Sequence, residues 1–138
     1  MSRWHDAGTV DIGFTADVDL TAKQYLFVTP ASTQGNVKVS TGASNPTPIG
    51  ILQNSPSAGQ EARVRVLGFS KVVGENGTCN LTVGTFVTSG SDGQGESVIL
   101  SGCPAVARWM GPTYATAGSI VGEVLLFGGF SACLSSVA

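Results

Sequence analysis

The sequence predicts an all-β fold, a small β-barrel or sandwich of short antiparallel strands with little helix. Short segments rich in β-branched and aromatic residues recur along the chain, and clusters of Gly, Pro, Asn, Asp and Ser separate them. No window of about 12 residues or more has the apolar spacing of an amphipathic helix. The 138 residues suffice for one domain with its own hydrophobic core.

The predicted strands share a period-two alternation or a short apolar run between turn signals. They are residues 25–29, 36–40, 48–54, 62–73, 84–89, 96–100, 105–110 and 120–127. Short strands at this spacing, joined by turn residues, are typical of all-β sandwiches and barrels.

The N-terminal residues differ from the rest of the chain, because their apolar side chains are scattered and have no helical period. Val10, Ile12 and Phe14 alternate with polar or small residues. We therefore assign residues 1–16 to an extended N-terminal arm and residues 17–138 to a single β domain. The arm either docks on a partner by adding a strand to a sheet edge, or is an ordinary first strand behind a frayed terminus.

Charge and composition exclude several classes of partner. The formal net charge is -2 and charged residues make up 12% of the chain, so the basic patch of a nucleic-acid-binding domain is not expected. No apolar run approaches the roughly 20 residues of a membrane-spanning helix. Cys79, Cys103 and Cys133 are widely spaced and odd in number, which favours buried thiols over a disulfide framework or a metal site.

Catalytic motifs are absent from the sequence, and we predict that the protein is not an enzyme and uses neither metal nor cofactor. The one histidine, His5, lies in the predicted arm, where no second group is placed to orient it. The sequence contains no GxSxG, HExxH or P-loop pattern.

The segment 62–73 is the most regular strand in the sequence. Alternation places Arg63 and Arg65 on a solvent or subunit face, opposite three apolar residues. Beyond Gly68 the apolar residues Phe69 and Val73 have the opposite parity. We predict a β-bulge at Gly68 that returns Phe69 to the core side; Val72 does not fit this scheme.

The order of these features resembles that of tailed-phage capsid decoration proteins, also called head cement proteins. The resemblance covers roughly residues 17 to 130 and rests on the order and spacing of short strand and turn motifs. The matching positions are Gly50-Ile51-Leu52, Ala58-Gly59-Gln60, Val64 to Gly68, Gly84 to Val87, Asp92-Gly93, and Ala117-Gly118 to Leu126. The chain departs from the pattern by its "RWMGPTYAT" segment, its N-terminal arm and its tail "FSACLSSVA".

The resemblance implies a structural virion protein on the outer face of an icosahedral head, assembled there from the host cytoplasm. It would bind the major capsid protein, often as a homotrimer, and would stabilise the shell without contacting nucleic acid or membrane. A receptor- or glycan-binding β domain of a phage fibre is the alternative.

Candidate contact residues come from two parts of the chain. The arm supplies the expected capsid contact through Trp4, Val10, Ile12 and Phe14. The further residues expected to contact another copy or the capsid are Arg63, Arg65, Trp109, Met110 and Tyr114. Core filling is an equal alternative for the aromatic residues of the second set.

Overall fold

The computed structural model describes residues 8–42, 48–76, 81–98, 104–113, 118–127 and 132–133. These residues form eleven strands and no helix, which confirms the all-β prediction. The strands are β1 (Val10–Ala16), β2 (Phe27–Pro30), β3 (Asn36–Val39), β4 (Gly50–Leu52), β5 (Glu61–Asn76), β6 (Phe86–Ser89), β7 (Gly95–Ser97), β8 (Pro104–Ala105), β9 (Ala107–Gly111), β10 (Gly118–Phe127) and β11 (Ala132–Cys133). Within these ranges, no helix is long and apolar enough to cross a membrane.

Nine strands form one sheet in the order β1-β3-β2-β4-β5-β10-β9-β6-β7, and β8 pairs separately with β11. Two further pairings, β1 with β5 and β5 with β7, close the sheet into two circuits of five strands that share β5. The sheet is therefore not one clean barrel. Most pairings are antiparallel, but β1–β3 and β5–β7 are parallel.

Each circuit encloses a hydrophobic cluster. The first contains Ala16, Leu20, Val28, Val37, Leu52, Ala62 and Val64. The second contains Phe27, Ile51, Val72, Leu81, Val87, Val106, Ala107, Trp109, Val124 and Leu126. Neighbours in sequence on β2 and on β4 belong to different clusters, so both faces of these two strands are covered by protein and their apolar runs are continuous.

The long strand β5 packs on both clusters without changing the parity of its buried residues. Val64 is buried in the first cluster and Val72 in the second, both at even positions. The predicted return of Phe69 to the core is therefore wrong: Ser70 and Val72 face inward, and Phe69 is only half-buried. Val72, which the bulge scheme left unexplained, is a core residue.

An irregularity does occur in β5, but at Val66, two residues earlier than predicted. The pairing of β5 with β10 is continuous from Leu67 to Asn76. The pairing with β1 skips Val66, because Asp11 lies opposite Arg65 and Val10 lies opposite Leu67. Gly68 lies two residues after Val66 and has a φ of 95°, a conformation that favours glycine.

The second half of the predicted arm is a strand of the sheet. Residues Val10–Ala16 form β1, which is hydrogen-bonded to β5 and to β3. The alternative of an ordinary first strand therefore holds for these residues, and position 16 does not separate an arm from a domain. Residues 1–7, with Trp4 and His5, lie outside the described residues, as do Cys79 and Cys103.

Candidate docking surfaces

The antiparallel pair β5–β10 forms a long two-stranded ribbon with ten consecutive residue pairs. Its inner face carries Ser70, Val72 and Val124, which are buried against the second cluster. Since side chains alternate along a strand, the odd-numbered residues of both strands share the outer face. The ribbon thus has one face fixed in the core and one face directed away from it.

The outer face of the ribbon is unusually apolar. Four of its five cross-strand pairs are Leu67–Phe127, Phe69–Leu125, Lys71–Glu123 and Val73–Val121, and the fifth, Glu75–Ser119, lies at its end. We call the eight residues of the first four pairs the ribbon face. Leu67 is 40% exposed and Val121 is 54% exposed, while the other apolar members are half-buried. Antiparallel sheets commonly direct polar residues to solvent, so three adjoining apolar pairs out of five indicate a surface that another molecule covers.

Strand β9 extends this apolar surface. Met110 is 39% exposed, and it lies beside an open depression of about 590 Å³. Val121 and Lys71 of the ribbon face line the same depression. Tyr114 lies outside the described residues.

Trp109 does not belong to this surface. It is fully buried in the second cluster, and its indole N–H donates a hydrogen bond of 2.6 Å to the carbonyl oxygen of Pro112. Gly74 on β5 and Gly122 on β10 leave room for its ring, because a Cβ at either position would collide with ring atoms. The core alternative therefore holds for Trp109, and its neighbour Met110 is the exposed residue.

A second surface is formed by the N-terminal half of β1. This strand pairs with β5 from Val10 to Thr15, but its pairing with β3 covers only Thr15 and Ala16. Among the described strands, none pairs with the other side of residues Val10–Phe14, which we call the β1 edge. Val10 is 41% exposed and Ile12 is 43% exposed. Phe14 is half-buried against the first cluster, so it anchors the edge.

The two arginines of β5 have different surroundings. Arg65 braces β1 against β5: its Nε and Nη2 atoms donate to the carboxylate of Asp11 at 2.7 and 3.1 Å, and its Nη1 atom donates to the carbonyl oxygen of Phe69 at 3.1 Å. Arg63 is exposed. A bidentate pair of this kind fixes the register of the two strands. Arg63 therefore remains the more available arginine for a partner.

A pair of carboxyl groups, which the sequence analysis did not single out, lies where the second circuit closes. Strands β5 and β7 are joined by the single parallel pair Gly74–Gly95, and Glu75 and Glu96 are the next residues of the two strands. Burial raises the pKa of Glu96 above its usual value of 4.5, and the nearby carboxylates of Glu75 and Asp92 raise it further. Within the described ranges, no group of three His, Cys, Asp or Glu residues could hold a metal ion.

Comparison with known proteins adds one finding about the fold. No protein family matches the sequence, and no curated protein matches it. The fold resembles the base of a phage head fibre. The crystal structure of the head fiber gp8.5 N base in bacteriophage phi29 matches with a TM-score of 0.62 and 12% sequence identity. The match covers 88% of this chain and 96% of that chain, so it extends over both circuits of the sheet.

Proposed function

We propose that the protein is a structural component of a bacteriophage virion and is attached to the outer surface of the head. The fold likeness to a head-fibre base carries this proposal, because it spans nearly the whole of both chains. The resemblance of the motif order to capsid decoration proteins supports the same location. The protein would be made in the host cytoplasm and would bind the major capsid protein of the assembled shell.

Shell stabilisation is the first form of this function. A protein that binds every capsomer of a lattice by a modest contact gains strength from the number of contacts, because neighbouring sites raise the effective concentration. A stiff β frame suits this role, and the sequence contains no recognised catalytic motif. Homotrimers, which the sequence resemblance implies, would add further to that multivalency.

A fibre base is the second form. The structural neighbour is described as the base of a head fibre. The alternative function is therefore an anchor for a receptor- or glycan-binding element of a fibre. The two forms differ in what they do to the shell. A cement protein raises the resistance of the shell to rupture, whereas an anchor needs only to stay bound.

The β1 edge is the capsid contact that we propose. A strand side without a partner offers backbone hydrogen bonds to an extended segment of another protein, and Val10 and Ile12 offer exposed apolar side chains for specificity. Charged residues lie next to the edge: Asp11 pairs with Arg65 of β5, and the exposed Arg63 lies opposite Gly13. Such a mixture of apolar and charged groups is typical of interfaces between proteins that also exist apart.

Sedimentation with phage shells tests the proposal. Purified protein is mixed with mature shells that lack it, and the pelleted fraction is measured for the wild type, for the double variant Val10→Ser/Ile12→Ser and for the control Val83→Ser, which is also an exposed valine at 60%. We expect the wild type and the control to pellet with the shells and the double variant to stay in the supernatant. A wild-type protein that does not pellet would refute the proposed function.

The release temperature of the packaged DNA separates the two forms. Particles saturated with the protein are heated beside particles without it. A higher release temperature for the saturated particles supports shell stabilisation. Tight binding with an unchanged release temperature supports the fibre base.

A further inference from the structure

We propose that the ribbon face is the contact surface between copies of this chain. This inference concerns the partner of the ribbon face alone, and it holds or fails independently of attachment to the head. The ribbon face has two properties that select a second copy over another protein. They are its apolar composition and its balanced charge.

The composition of the ribbon face matches a permanent interface. Six of its eight residues are apolar and lie in three cross-strand pairs, and Met110 continues the patch on β9. Interfaces of obligate homo-oligomers are more apolar than those of proteins that associate transiently. The β1 edge has the opposite character, because three charged side chains lie around it. The two surfaces thus suit two kinds of partner, a permanent one and a separable one.

The charges of the ribbon face are self-complementary. Lys71 and Glu123 lie opposite each other in the strand register. Two further charged residues of opposite sign border the ribbon face: Arg108 lies opposite Leu125 on β9, and Glu75 is the next outward residue of β5 after Val73. Around a symmetry axis, Lys71 of one copy can face Glu123 of the next. Each charge that enters the contact would then lie near an opposite charge. The formal net charge of -2 adds only weak repulsion between copies. A partner of different sequence would need its own matching pair of charges.

The position of the ribbon also favours contact between copies. Its inner face packs on the second cluster, so its backbone is held rigidly while its outer face is presented as a continuous surface. Leu67 pairs with Val10 in the β1–β5 register. Contact between copies through the ribbon face would therefore place the β1 edges next to the contact, where several could engage one capsid lattice together.

The mass of the protein in solution tests the inference. Sedimentation equilibrium is measured for the wild type, for Leu67→Ser and Val121→Ser, and for the control Val18→Ser, an exposed valine outside the ribbon at 49%. We expect a wild-type oligomer that the control preserves and that each ribbon variant weakens by roughly tenfold or more. A monomeric wild type at about 100 µM, far above the dissociation constants of specific interfaces, would overturn the inference.

A charge variant keeps the test decisive if the serine variants do not fold. Lys71→Glu changes an exposed side chain and makes the ribbon face uniformly negative. We expect this variant to be dissociated at low salt. At high salt its copies should partly reassociate, because salt screens the repulsion between the negative ribbon faces. An oligomer that is indifferent to this change would count against the ribbon face. If the wild type is monomeric and Val121→Ser abolishes sedimentation with shells, the face belongs to the capsid protein instead.

Discussion

Replacement of Gly68 by alanine tests why a glycine stands in the middle of the longest strand. Gly68 has a φ of 95°, and a Cβ there would lie 3.0 Å from the carbonyl oxygen of Gly8 and 3.1 Å from the Cα of Thr9. Gly59 has a similar φ of 84°, but a Cβ there would meet nothing within 4 Å. The pair of variants Gly68→Ala and Gly59→Ala therefore separates backbone strain from close packing.

The expected magnitudes follow from these two contributions. A positive φ at a residue with a Cβ destabilises the fold by about 1–2 kcal/mol, and both variants share this effect. Crowding against backbone atoms adds about 1–3 kcal/mol at Gly68 alone, since a main chain cannot rotate out of the way. For 138 residues, a difference of about 1 kcal/mol lowers the melting temperature by roughly 3–4 °C. Gly68→Ala should thus melt roughly 3–12 °C below Gly59→Ala.

Thermal unfolding followed by circular dichroism gives both values at one protein concentration, which matters if copies associate. Equal melting temperatures for the two variants would refute the role of the Gly8–Thr9 approach. Arg63→Ala is a surface control and should change the free energy of unfolding by less than about 0.5 kcal/mol. If Arg63→Ala were more damaging than Gly68→Ala, the arginine would have a structural role that its exposure does not suggest.

Three further changes probe the core, the strand brace and the acidic pair. Trp109→Phe removes a buried hydrogen-bond donor and leaves a cavity, so urea unfolding should show a loss of about 1–3 kcal/mol; an unchanged midpoint would contradict the role of the indole N–H. A double-mutant cycle on Asp11 and Arg65 should give a favourable coupling energy of about 0.2–1 kcal/mol, since both side chains are partly solvated; additive single effects would show that the pair does not brace the strands. Glu96→Gln should become more stable relative to wild type as the pH rises above 4.5. The raised pKa of Glu96 means that its protonated carboxyl stabilises the fold at lower pH, and that this stabilisation is lost as the carboxyl ionises beside Glu75. Parallel pH profiles for the two proteins would show that the acidic pair has no effect on folding.

In the segment around β5, the sequence pattern predicted some side-chain orientations correctly and others incorrectly. Alternation correctly placed Arg63 and Arg65 away from the core and located an irregularity near Gly68. It then assigned Phe69 to the core, because apolar residues were assumed to be buried. The structure buries Val72 instead, and leaves Phe69 on the outer face. A surface that another molecule covers has the same composition as a core, so composition alone could not distinguish the two.

Composition alone also could not separate contact residues from core residues in the candidate surfaces. Val10, Ile12 and Met110 were expected as contacts, and the structure leaves all three exposed. Trp109 has the composition of an interface residue but is buried, since Gly74 and Gly122 on two other strands make room for its ring. No local pattern connects these three positions. Their meeting depends on the order of the strands in the sheet.

Local chemistry in the sequence determined that this protein is all-β, where most of its strands and turns fall, and that it has no recognisable catalytic motif. These properties depend on neighbouring residues, because alternation, β-branching and turn residues act over a few positions along the chain. The tertiary structure decided which strands pair, that β5 joins two closed circuits, and which apolar face stays outside. Those properties depend on contacts between residues distant in the sequence, such as Leu67 with Phe127 and Gly74 with Gly95, and only the closed sheet brings them together.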